Sequence, residues 1–175
     1  MRGTAPSARG RLAIIALVTD ALVGVDFGLS VTDAVLVEGG RAVRHASLLR
    51  PGHASTEVLR RALEALGEGA AGARRVAVTG GRSRELAGEP GVVVVDEPTA
   101  IGRGALALAG VSRALAVSCG TGTAMVVADA DTGEYRHVTG TPVGGGTLEG
   151  LGSALLGVST AGEVAALAAR GDAAR

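Results

Sequence analysis

Aromatic side chains are nearly absent: Phe27 and Tyr135 are the only two in 175 residues, and there is no Trp. Nucleic-acid modules that stack bases on Phe, Tyr or Trp platforms are thereby excluded. The core must be built from Val, Leu, Ala and Ile, which still gain roughly 25 cal/mol per Å² of buried apolar area. Lys, Asn and Gln are missing altogether. A lysine clamp on phosphate and a lysine Schiff base are therefore impossible. Basic and acidic residues balance at 17 each, giving a net charge of zero. No basic patch points to nucleic acid or to an anionic membrane surface. Cys119 is the only cysteine. It excludes an internal disulfide and a cysteine zinc cluster, and reads as a small residue at a strand end. No segment approaches the ~20 apolar residues of a membrane span. The basic start Met1–Arg11 and the apolar run Leu12–Val18 have the outline of a signal peptide. The run is short, however, Asp20 follows it, and no small-x-small cleavage site precedes the first strand. The expectation is a cytoplasmic protein with no membrane partner.

Glycine, by contrast, is abundant, with 29 residues. Two glycine-rich loops stand between apolar, strand-like runs: Val25–Asp33 and Ser118–Thr123. A third glycine run, Gly144-Gly145-Gly146-Thr147, opens a helix. Each loop alone also fits an ordinary tight hairpin. Together they suggest a nucleotide gripped from both sides.

A chain of this length allows one domain or two small lobes. Residues 1–21 read as an N-terminal extension. Strands are expected at 22–26, 32–38 and 42–49, with Gly39-Gly40 as a hairpin signal. Ser55 or Thr56 caps a helix running to Leu66, with Leu59, Leu63 and Leu66 on one face. Strands follow at 75–79 and 92–95. Pro98 then opens a helix through Ala109. Residues 114–118, 124–128 and 134–138 read as three more strands, and 148–156 and 161–169 as helices. The expected order is βββ-α-β-α-β-α, followed by a second set of strands. It is an α/β arrangement with a duplicated look.

The chemistry falls on few residues. Asp26, at a strand end, could hold magnesium, and Ser30 and Thr32 could donate to phosphate oxygens. The loop Gly120-Thr121-Gly122-Thr123 could wrap phosphate with N–H groups and hydroxyls. The helix start after Gly144 favours anions. Asp96-Glu97 is the best acid–base candidate, because a carboxylate at a strand's carboxyl end can take a proton from a substrate hydroxyl. Capping of the next helix explains the same pair, and both can hold, one per residue. His45 and His53 read as surface residues. The histidines show no metal-ligand spacing.

The stretch Tyr135–Gly152 resembles the signature of type II pantothenate kinases, the eukaryotic-like fumble group. Val78-Thr79-Gly80-Gly81, Val95-Asp96-Glu97 with Gly104 downstream, and Gly120-Thr121-Gly122-Thr123 match as well. The resemblance covers roughly residues 23 to 175. It implies ribonuclease-H-like lobes of the actin-like ATPase superfamily, βββαβα in type, with ATP between them. The first lobe would be 22–113 and an incomplete start of the second 114–175. The implied reaction is phosphorylation of pantothenate by magnesium-ATP, the first step of coenzyme A synthesis. Glu97 would be the general base and Asp26 the metal ligand. Gly28, Leu29, Ser30, Thr32, Gly120, Thr121, Gly122, Gly144, Gly145, Gly146, Thr147 and Leu148 would line the phosphates. Thr123, Arg136 and His137 would meet the substrate. A homodimer and feedback by acyl-CoA are implied too. The chain departs from the family in several ways, Ala124 standing where many members have Ser among them. Asp33 stands where the family has Lys, and His137 where it has its substrate-binding Arg. Arg136 is one place earlier, and one step along a strand reverses side-chain direction. The family also continues for about another half-lobe, where the adenine-binding segment would lie. Two other readings stay open. One is a non-catalytic or truncated relative that binds nucleotide or acyl-CoA. The other is an actin-like ATPase acting on a different small molecule.

Overall fold

The computed structural model describes residues 21–172, except Arg50, Gly72, Arg74 and Ser159. The readings of residues 1–20 lie outside the described residues. The first sheet grows from strict alternation. In β1 (Leu22–Phe27), Val23, Val25 and Phe27 are buried on one face, while Leu22 and Asp26 stand on the other. β2 (Val31–Glu38) continues the pattern with Thr32, Ala34 and Leu36 buried. β3 (Arg41–Leu49) completes an antiparallel meander. Two parallel strands, β4 (Arg75–Gly80) and β5 (Val92–Val94), extend the sheet on the other side of β1. The strand order is β3-β2-β1-β4-β5.

A parallel neighbour needs a crossover, which here is α1 (Thr56–Leu66). Ser55 caps it, its hydroxyl accepting the Val58 N–H at 3.2 Å. Val58, Leu59, Ala62 and Leu66 turn inward onto the buried side of β1, β2 and β4. A short α2 (Glu68–Ala71) leads into β4. The helix expected between β4 and β5 is absent. A single 3-10 turn, Ser83–Leu86, stands there instead. Residues 81–91 are too few, and Gly81, Gly88, Pro90 and Gly91 interrupt them too often for a helix with two connections.

Helix α3 (Glu97–Ala109) follows the first sheet but packs on the second. Asp96 caps it, accepting the Thr99 N–H at 3.0 Å, and Pro98 sits in its first turn. A Cβ at Gly102 would lie 2.5 Å from the Tyr135 ring and 3.1 Å from the Ala128 Cβ. That contact seats the helix on the second sheet, an antiparallel set in the order β6 (Arg113–Cys119), β7 (Thr123–Asp129), β8 (Glu134–Thr141). The core of that sheet is aliphatic, with Ala116, Val126 and Ala128 buried. Asp129 closes the β7–β8 turn by accepting the N–H groups of Asp131 and Thr132, and pairs with Arg113 at 2.7 Å.

Helix α4 (Gly145–Leu156) begins three residues earlier than expected. Glycines lower helix propensity, but the ties described below hold this start. Helix α5 (Ala161–Ala168) carries a full capping box between Thr160 and Glu163. Gly152 of α4 lets Val158 and Val164 approach closely. Leu115 and Val117 on β6, and Leu155 and Leu156 on α4, are exposed.

Candidate functional site

The two glycine loops are hairpin connections, one from each sheet, and they face each other. The first, residues 28–30, joins β1 to β2. The second, residues 120–122, joins β6 to β7. Ser30 and Thr121 bridge them through their hydroxyls at 2.7 Å. The third glycine run packs into the junction. A Cβ at Gly146 would lie 2.8 Å from the Ser30 hydroxyl and 3.0 Å from the Thr121 Cα. The N–H groups of Gly146 and Thr147 donate to the carbonyls of Gly120 and Thr121 at 3.3 and 3.2 Å. The Thr147 hydroxyl lies 2.8 Å from the Thr121 carbonyl and 2.6 Å from that of Pro142. Thr123 fastens the same region, donating to the Val143 carbonyl at 2.8 Å. Three separate stretches of chain are thus tied into one glycine-lined corner.

Beside this corner is a crevice of about 350 Å³. It is walled by the ends of β1 and β4 and by the second loop. Asp26, Gly28, Leu29, Gly80, Gly120, Thr121, Gly122 and Thr123 line it, and Glu97 closes one side. The crevice therefore holds both expected carboxylates and both hairpin loops.

The comparisons add kinship to this geometry. The Fumble family model matches residues 113–175, from the first residue of β6 onward. The match is confined to this second part of the chain. No curated protein matches the sequence significantly. Solved structures share the fold at low identity. Component A of (R)-2-hydroxyglutaryl-CoA dehydratase from Acidaminococcus fermentans superposes with a TM-score of 0.66 at 16% identity, over 87% of this chain and 60% of that one. The activator of 2-hydroxyisocaproyl-CoA dehydratase from Clostridium difficile, with bound ADPNP, gives 0.62 at 15% identity, over 87% and 57%. The ROK hexokinase from Thermus thermophilus gives 0.50 at 17% identity, over 87% and 70%. The fold they share with this chain is the ribonuclease-H-like, actin-like one that the resemblance implied. This chain spans 60% of the length of the first of these structures.

The electrostatics of the crevice are acidic. Asp26 is solvent-accessible, yet protein walls surround it. Burial raises its carboxyl above the ordinary value of 3.8, and the charges of Glu97 and Asp33 raise it further. Asp33 is its register partner on β2. Asp33 accepts a hydrogen bond from Ser47 at 2.5 Å and stands 3.2 Å from the His45 ring. Asp96 is held below the usual carboxylate range, chiefly by its hydrogen bonds to Thr99. The strand-end pair therefore divides its work: Asp96 caps α3, and Glu97 lines the crevice.

Some expected site residues lie elsewhere. Thr32 points into the core on the α1 side, fully buried, and its hydroxyl has no partner among the described residues. It cannot donate into the crevice. Alternation places it there: Thr32 pairs with Phe27, whose side chain is also buried. Arg136 pairs with Val127 and His137 with Val126, so the two leave opposite faces of the second sheet. Arg136 is bonded to Glu134 at 3.1 Å, and neither residue lines the crevice. Gly144 and Thr147 serve as ties between loops, whereas the Gly145 N–H has no backbone partner among the described residues. Ser118 and Gly80 line the crevice without having been assigned a role from sequence. The glycine pair after β4 was the available signal for Gly80. Among the described residues, no single helix is long and apolar enough to cross a membrane.

Filling the corner should separate the loops. On the nucleotide-site reading proposed below, Gly146→Val should weaken ATP binding by about tenfold or more, since its Cβ meets backbone at Thr121. Equilibrium titration with ATP, beside a thermal melt to confirm folding, measures it.

Proposed function

We propose that this chain carries the phosphate site and general base of an ATP-dependent pantothenate kinase. The observation that supports it most is the meeting of two glycine hairpin loops, tied together by the third glycine run, beside Glu97 in one crevice, within a chain whose second part matches Fumble. Transfer of a phosphoryl group is mainly a matter of positioning and charge stabilisation. The loops supply the first through backbone N–H groups and the Thr121 hydroxyl, which Ser30 holds in place. The pantothenate hydroxyl would attack the terminal phosphorus of ATP as the bond to the ADP oxygen breaks. Its proton would pass to the Glu97 carboxylate, and ADP would leave with the electron pair of the broken bond.

The crevice suits magnesium. Its donors are oxygens, and Asp26 is crowded by two further negative charges. Among the described residues no group of three or more His, Cys, Asp or Glu could hold a metal alone. Magnesium is usually held by one or two carboxylates together with substrate phosphates. Asp26 would hold it, and the ion, when bound, offsets phosphate charge. A homodimer belongs to the same proposal, supported by the exposed leucines of β6 and α4. Acyl-CoA feedback rests on the family resemblance.

A second reading, a relative that binds nucleotide or acyl-CoA without turnover, is favoured by Asp33 and by the placement of Arg136 and His137. ADP release from magnesium-ATP, with pantothenate and with a panel of other hydroxylated small molecules, tests both. Release stimulated by pantothenate above the panel is the expected result. Nucleotide or acyl-CoA binding without turnover establishes the second reading. Stimulation by another member of the panel moves the substrate assignment to that compound.

A further inference from the structure

The crevice has a neighbour that the phosphate loops do not use. A cavity of about 300 Å³ opens between the 3-10 turn after β4 and the start of α3. Gly80, Arg82, Arg84, Val95, Glu97 and Pro98 are among its walls. Gly80 and Glu97 line this cavity and the crevice alike, so the two meet at Glu97. On one side of that meeting point lie the phosphate loops, and on the other lie two arginines.

The charges in the second cavity are mostly spoken for. Arg82 is bonded to Glu85 at 2.6 Å. It is also the one non-glycine residue with a positive φ, 62°, among the described residues. Such a conformation is uncommon and clusters at functional sites. Asp96 is engaged in capping α3. The Arg84 guanidinium has no hydrogen bond or ion pair among the described residues, although it lies near enough to Asp96 to act on its charge. It is the cation left over. Val94, Val95 and Pro98 supply an apolar wall beside it.

We propose that this cavity is the acceptor subsite and that Arg84 determines its specificity by binding an anionic group, a carboxylate, on the acceptor. The proposal rests on the kinase reading above, in which the acceptor hydroxyl lies at Glu97. An acceptor with a hydroxyl at one end and a carboxylate at the other would then span from Glu97 to Arg84. A guanidinium fork suits this task, since it can meet both carboxylate oxygens at once. His137, which the family resemblance would assign to this role, lines neither cavity.

The test is calorimetric binding and steady-state kinetics with two probes, pantothenate and its neutral alcohol analogue, pantothenyl alcohol. Wild type should bind the acid more tightly than the alcohol. Arg84→Ala should raise Kd and KM for the acid by about tenfold or more, leave kcat within about twofold, and leave the alcohol unchanged. Arg84→Lys should recover only part of the loss, since it keeps the charge but not the fork. Arg84 is exposed, so both variants should melt with wild type. Equal affinity of wild type for acid and alcohol overturns the subsite while leaving the kinase reading intact. So does an equal loss for both probes in Arg84→Ala. If wild type neither binds nor phosphorylates either probe, the pantothenate reading fails and the subsite falls with it.

Discussion

Glu97→Gln should reduce phosphoryl transfer by about 10²–10⁴ in kcat, the usual worth of a positioned general base. The replacement keeps size and removes the negative charge together with the ability to take a proton. Its effect should be confined to chemistry because α3 is capped by its neighbour. Asp96 accepts the Thr99 N–H, and that bond survives the change. What Glu97 adds to the helix is a favourable charge in the first turn, about 0.3–1 kcal/mol. The urea midpoint should therefore move little and ATP affinity should stay near wild type. Single-turnover kinetics beside equilibrium unfolding separates the two effects. A variant that retains full turnover removes the role assigned to Glu97.

Asp26→Asn should cost activity and gain stability. The loss in kcat/KM should be about a hundredfold or more, since the carboxylate that would hold the metal is gone. The gain follows from the crevice's charges. Burial, then Glu97 and Asp33, raise the Asp26 carboxyl in the folded protein. An acid with a raised folded pKa makes folding less favourable once pH climbs past the ordinary value of 3.8. Below that value it is protonated in both states and costs nothing. Thermal melts should thus show the Asn variant and wild type together in acid. The variant should rise above wild type as pH increases, then hold a constant lead above the raised pKa. The same shift should move the acid limb of wild-type kcat/KM above that expected for an ordinary aspartate. A variant that melts below wild type at neutral pH would show that Asp26 makes a stabilising contact instead.

The parts of this fold that follow from local rules were legible. β1 alternates cleanly, Ser55 and Asp96 are ordinary caps, and Pro98 marks a helix start. The pairing of Asp96 as cap with Glu97 as crevice residue was readable too, because one strand end offers both positions. The placement of Arg136 and His137 on opposite faces followed from strand alternation alone. The missing pieces depend on contacts between distant residues. No local pattern shows that Ser30 meets Thr121, or that Gly146 must be small for that reason. Helix α3 is apolar enough to suit either sheet, and only the fit of Tyr135 over Gly102 sends it to the second. Helix α4 starts early because carbonyls of the second loop hold the N–H groups of Gly146 and Thr147, in a stretch of little helix propensity of its own. A threonine near a glycine loop, such as Thr32, reads as a phosphate donor. The register with Phe27 puts it in the core. Arg84 drew no functional reading because an arginine in a charged run looks like solvated surface. Its role emerges only from the cavity it shares with Glu97.

The central claim is that the corner of three glycine loops and the adjacent Glu97 together transfer a phosphoryl group to pantothenate. Phosphorus NMR of the chain incubated with magnesium-ATP and pantothenate, run in parallel with Glu97→Gln, tests it most directly. The account predicts a phosphomonoester of pantothenate with wild type and none on the same timescale with the variant. Folded wild type that forms no such ester, or a variant that forms it as fast, would contradict it.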